Sequence, residues 1–200
     1  MRKKILLIGC GGHTKVCVDV IKNIKSYKIA GVVCDNKKGV YNLPNVGNDN
    51  DLKKLRKKFN SAFITIGQIK NYQTREKIFK KLKRLNFNIP RILSNTAIIS
   101  KSAKIDKGTI VMDRAIIHQD VKIGKNCIIN TGAIVEHDVQ IGDNTHISTG
   151  AIINGEVEVG KNVFIGSGTI IVNNVKIKSN SFSKTEVGVR PEFINFSSEG

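Results

Sequence analysis

The chain has 200 residues, 40% of them hydrophobic and 24% charged, with a formal net charge of +17. That balance excludes a disordered chain, and no run approaches the roughly 18 consecutive apolar residues of a membrane span. The charge is confined to one half: residues 1–95 hold 22 Lys and Arg against 5 Asp and Glu, while residues 96–200 hold 11 of each. Such a half is either a plain solvated surface or an attractor of anionic ligands such as a nucleotide diphosphate or CoA. Its Lys/Arg clusters at 53–58 and 77–84 lack interleaved aromatic platforms, so nucleic acid is not an expected partner. The four cysteines, Cys10, Cys17, Cys34 and Cys127, form no CxxC pair and no disulfide framework, which points to a reducing, cytoplasmic setting.

In chain order, residues 3–8 read as a buried strand. The start is too short in its apolar run for a signal peptide. Gly9, Cys10, Gly11, Gly12 and His13 follow as a tight turn, and residues 16–24 carry apolar side chains at helical spacing. Residues 29–34 and 63–66 read as further strands, ending at Asp35 and Gly67, and residues 75–85 as a basic amphipathic helix. This is a small βαβ unit with a parallel sheet. A Gly-rich turn at a helix N-terminus lets backbone amides approach a phosphate, but the sixth position of the dinucleotide pattern is Thr14, so NAD is not expected.

From Ile99 onward a period of six takes over. Every sixth residue from Ile99 to Ile177 is Ile or Val, fourteen in succession, and the residue two before each is small or β-branched, from Ala97 to Val175. Neither a helix nor a free hairpin has this period. Three hexads make a triangular coil of 18 residues, with the large residue inside and the small one near a corner. Gly124, Gly142, Gly160 and Gly166 are expected at turns that need a left-handed backbone. One coil cannot bury its own inner face, so coils must stack. The predicted organisation is residues 1–94, a Rossmann-like α/β domain; residues 95–182, a parallel β-helix; and residues 183–200, a tail in which Gly188 to Pro191 stand out.

Together, Gly9 to His13, Asp35, Gly67, residues 130–138 with Glu136, His137 and Asp138, and residues 141–146 resemble the sugar O/N-acyltransferase family across nearly the whole chain. That family includes enzymes that N-acetylate UDP-4-amino sugars and sialic acid O-acetyltransferases. The resemblance implies a left-handed β-helix, acetyl-CoA as co-substrate, a nucleotide-activated sugar as acceptor, and a homotrimer with sites between subunits. It implies His137 as general base, Asp138 as the carboxylate that orients it, and Glu136 as a weaker candidate for that task. His146 is implied at the thioester or carrier arm, Asn130 in positioning, and Gly155 as a backbone contact to pantetheine. Gly11, Gly12, His13, Asp35, Asn36 and Gly67 are implied at the nucleotide-sugar site. No metal is expected.

Other readings compete. O-acetylation of a sialic acid fits the same first domain. A zinc hydratase of the carbonic anhydrase type would need His118, His137 and a third ligand such as His146 from another subunit, and leaves the first domain without a role. A silent scaffold leaves the Glu-His-Asp stretch unexplained. Ile98, Ile116, Ile128, Ile134 and Ile152 fall beside the inward register. They are expected to form an exposed apolar stripe that closes a trimer, unless the first domain covers them.

Overall fold

The computed structural model describes residues 2–36, 39–69 and 71–183. The first part of the chain is a parallel sheet of β1 (Lys3–Ile8), β2 (Tyr27–Val33) and β3 (Ser61–Ile64) in the order β2-β1-β3. Central β1 is covered on both faces, which is why Ile5, Leu6, Leu7 and Ile8 form an unbroken apolar run instead of alternating. Helix α1 (Gly12–Asn23) buries Cys17, Val18, Val20 and Ile21 on one face with Ile5 and Leu7. Helices α2 (Leu52–Arg56) and α3 (Gln73–Arg84) bury Leu52, Leu55, Ile78 and Leu82 on the other, with Leu6, Ile8 and Ile64. The five residues of α2 are too few to display a helical period, so the sequence does not announce that helix.

The rest is a parallel β-solenoid of about five turns, consistent with left-handed winding. Two-residue rungs, starting at Ile92–Leu93, pair in parallel with rungs 18 residues on, as Ile128 does with His146 and Ile134 with Ile152. Three five-stranded sheets result. The inward Ile and Val form one continuous core with the small residues Ala115, Cys127, Ala133 and Ala151.

The three outer faces differ. One carries Ile92, Ile110 and Ile128, all fully buried in a common cluster with Ile5, Leu7 and α1. The second carries Ile98, Ile116, Ile134, Ile152 and Ile170 in register; Ile98 is 66% exposed and the others are half-buried. The third carries Lys104, Lys122, Gln140, Glu158 and Lys176. Ile128 therefore does not belong to the open stripe, because the α/β part lies on it.

Two further expectations need correction. The left-handed backbone recurs every six residues from Gly108 to Asn180, and it falls on Gly132, Gly150 and Gly168 and on Asn, Asp, Arg and Glu, not on Gly124, Gly142, Gly160 or Gly166. Asn and Asp tolerate this conformation because their short polar side chains bond locally. Gly124, Gly142 and Gly160 are instead close-approach glycines: a Cβ on Gly142 would meet Gly160 backbone atoms at 2.7 Å. Second, Cys10 and Cys34 are joined in a disulfide. They follow paired strand ends, Ile8 beside Val33, which brings their Cα atoms to 6.0 Å, a proximity that residue spacing alone does not reveal. Cys17 and Cys127 are buried free thiols. The tail residues Gly188 to Pro191 lie outside the described residues.

Candidate active site

The first cluster of expected residues lies at the C-terminal edge of the sheet. The chain leaves β1 for one side and reaches β3 on the other, so the crevice beside β1 is a topological switch point. Gly11 caps α1, and Gly11 and Gly12 have open space where a side chain would be. Asp35 and Asn36 are exposed just past β2, and Gly67 lies after β3 with its Cβ position 3.3 Å from the His13 Cβ. Thr65, Tyr41 and Asn45 hold this edge together, and sequence reasoning missed all three. Thr65 Oγ1 bonds Thr14 Oγ1 at 3.0 Å, the Tyr41 hydroxyl donates to the Gly11 carbonyl at 3.0 Å, and Asn45 Nδ2 donates to the Cys34 carbonyl at 2.8 Å.

The second cluster lies where this edge meets the coil. His146, an outward residue of the covered face, is 5% exposed. Its Nδ1–H donates to the Gln68 carbonyl, and its Nε2 accepts from Asn130 Nδ2 at 3.2 Å. These bonds require the neutral tautomer, and burial, with help from Arg75, pulls the imidazole down to about 4. Gln68 returns a bond from Nε2 to the Asn144 carbonyl at 2.7 Å. His13 stands beside this group; burial, Arg75 and His146 lower it to about 3, and its Nε2 has no hydrogen-bond partner among the described residues. Gln68 gives no sequence signal, since its role depends on the docking of two distant segments.

The third cluster is at another corner of the prism. His137 is exposed, with Nδ1 2.9 Å from Asp138 Oδ2. Asp138 is a left-handed turn residue, φ 61°, and this local backbone turns its carboxylate back onto the neighbouring imidazole. The bond to Asp138 raises the His137 pKa above 6.5, with smaller contributions from the charges of Asp138, Glu136 and Glu156. Glu136 lies 3.7 Å from His118 Nε2 of the preceding coil, so its contact is to that histidine. Gly155, one coil on from His137, is buried beneath the imidazole. An imidazole with Nδ1–H fixed on a carboxylate has Nε2 available to accept a proton.

Within one chain the third cluster stands apart from the other two. His137 follows the isoleucine face, whereas Asn130 precedes it and His146 projects from the covered face. Among the described residues, no group of three or more His, Cys, Asp or Glu side chains is placed to hold a metal, and no helix is long and apolar enough to cross a membrane.

Comparison with known proteins finds two matched stretches. Residues 4–82 match the PglD N-terminal domain, and residues 120–155 match the bacterial transferase hexapeptide of six repeats. The chain is similar to the acetyltransferase domain of PglB from Neisseria gonorrhoeae FA1090, with 26% identity and TM-score 0.77 over 92% of this chain and 97% of that one. It shares its fold with PerB from Caulobacter crescentus in complex with CoA and GDP-perosamine, at 24% identity and TM-score 0.75 over 91% and 94% of the two chains. It also shares it with WeeI from Acinetobacter baumannii AYE, at 20% identity and TM-score 0.72 over 92% and 93%. The two matched stretches thus set a PglD-type N-terminal domain ahead of a hexapeptide-repeat transferase coil in one chain.

Proposed function

We propose that this protein transfers the acetyl group of acetyl-CoA to the amine of a nucleotide-linked amino sugar of the UDP-4-amino-sugar type. The observation that carries the reading is His137: exposed, its Nδ1 held by Asp138, its Nε2 without a hydrogen-bond partner among the described residues. In the reaction the amine nitrogen attacks the thioester carbonyl and His137 Nε2 takes its proton. A C–N bond forms, the C–S bond breaks, and the thiolate leaves to be protonated as free CoA. Asp138 steadies the imidazolium that forms.

The acceptor's nucleotide lies at the sheet edge, against the open backbone of Gly11 and Gly12 at the start of α1, with Asp35 and Asn36 toward the ribose and Gly67 and His13 flanking it. CoA and GDP-perosamine bound together to PerB, a protein of the same fold, support this pairing of ligands. His146, buried in its own chain, fixes the carboxamide of Asn130, which then serves to position substrate. Asn130 and His137 flank the isoleucine face, so a threefold assembly closed on that face brings His137 of one subunit toward Asn130 of the next.

The test is a panel of UDP-, GDP-, dTDP- and CMP-linked amino sugars with acetyl-CoA, following thiol release and product mass. At least one amine is acetylated; release with hydroxyl acceptors alone overturns the choice of N over O.

A further inference from the structure

The hexad one coil beyond His137 contains one glycine at an unusual position. Two residues after each inward Ile or Val, from Lys101 to Ser179, the chain places Lys, Asp, Gln, Thr, His, Ser or Asn; Gly155 alone of the fourteen has no side chain. It lies one coil beyond His137, joined to it by the bond from the Glu156 amide to the His137 carbonyl at 3.1 Å. Its backbone is not left-handed, so no conformational reason calls for glycine. The reason is space. A Cβ on residue 155 would be 2.7 Å from both Cε1 and Nε2 of His137, and 3.3 Å from Asn173 Nδ2 one coil further on. Real side chains do not approach so closely, and the Asn173 contact is itself tight.

We infer that Gly155 is a positioning residue for His137, its missing side chain being the space in which the imidazole lies with Nδ1 on Asp138 and Nε2 turned toward the reacting amine. This rests on the reading of His137 as the base, and adds a residue that acts on it through shape. The charges acting on the imidazole are those of Asp138, which it bonds, and of Glu136 and Glu156, while Asn173 borders the space over Gly155. A methyl group at 155 tilts the ring away from Asp138. Nδ1 then loses its carboxylate and Nε2 leaves its line to the amine.

The experiment uses Gly155→Ala in the full chain, with three readouts. Turnover falls on the order of 10²-fold, as for other small displacements of a catalytic group, while KM for acetyl-CoA and for the acceptor stays within about twofold. By NMR titration, the His137 pKa falls from its raised position toward that of a free imidazole. In a His137→Ala background the same substitution changes the residual rate by less than about twofold, because there is no ring left to displace. Equal losses in both backgrounds, or an unchanged titration with wild-type turnover, overturn the inference. If Gly155→Ala alone does not fold, His137→Ala/Gly155→Ala folds when the clash is with the imidazole; failure of both variants assigns the glycine to coil stacking and overturns it. The titration needs no acceptor, so a wild-type protein without acetyl transfer would sink the proposed function and leave this readout intact.

Discussion

Arg75 Nη2 donates to the side-chain oxygen of Asn126 at 2.9 Å, and this bond ties α3 to the coil. Arg75 is fully buried; its other guanidinium bonds go to the carbonyls of Ile64 at 3.0 Å and Ile66 at 2.7 Å, at the end of β3, and of Asn126 at 3.4 Å. From Asn126 an amide ladder runs down one corner of the prism, Asn126 to Asn144 at 2.9 Å, Asn144 to Asn162 at 3.1 Å and Asn162 to Asn180 at 2.9 Å. The first rung of this ladder thus fixes the sheet edge, where the acceptor is proposed to bind, relative to the coil.

Removing that anchor leaves four oxygen acceptors without their charged donor. Arg75→Ala is expected to cost on the order of 3 kcal/mol of unfolding free energy, measured by urea denaturation. Burial lowers Arg75 only to about 10, so it is charged at neutral pH and the loss includes charge-assisted bonds. A loss under about 0.5 kcal/mol, the scale of an ordinary surface change, would remove Arg75 as the anchor.

The two classes of coil glycine separate in stability. Gly142→Ala drives a Cβ into Gly160 and is expected to cost about 1–3 kcal/mol. Gly150 has φ 66° with open space around it, and Asn144 and Asn162 adopt the same left-handed region at φ 57° and 61°, so Gly150→Asn is expected to stay within about 0.5 kcal/mol. Thermal unfolding of both variants checks this; the reverse order contradicts the assignment.

The pH profile of turnover carries a definite sign. His137 works as a base only when unprotonated, and Asp138 raises its pKa, so activity is lost as pH falls through that raised value. His146 and His13, lowered to about 4 and about 3, stay neutral across the assay range and do not shape this limb. Asp138→Asn weakens the hold on the imidazolium. The acid limb then moves to lower pH, and the plateau rate drops on the order of 10-fold as basicity and orientation are lost. A limb that stays in place, or moves up, separates Asp138 from His137.

The isoleucine face gives a test of assembly. Ile134→Glu puts a carboxylate in the middle of the apolar ladder between Ile116 and Ile152. Light scattering at micromolar concentration is expected to report a trimer for the wild-type chain and smaller species for the variant. A wild-type monomer with full activity would require the whole site within one chain.

Local pattern made much of this legible. The inward Ile and Val every six residues fixed the coil register, and apolar runs marked β1, β2 and β3. The pairing of His137 with Asp138 was legible because the two are immediate neighbours and their bond depends on one turn. What depends on distant segments was not visible: Gln68 on His146 is set by the docking of the α/β part, and the burial of Ile128 by the same contact. The Cys10–Cys34 link follows from strand pairing. The glycines were misread because φ and close approach leave the same letter in the sequence; only the coordinates separate Gly142 from Gly150.

The central claim is that His137 takes the proton in acetyl transfer to a nucleotide-linked amine, and the most direct measurement is turnover of wild-type and His137→Ala proteins with acetyl-CoA and the best acceptor, read as acceptor-dependent thiol release. His137 is exposed and its side-chain bond is to its own neighbour, so the variant is expected to keep its fold and thermal midpoint. The account predicts a loss on the order of 10²–10⁴-fold in kcat with the assembly unchanged. Turnover within a few-fold of wild type would contradict it.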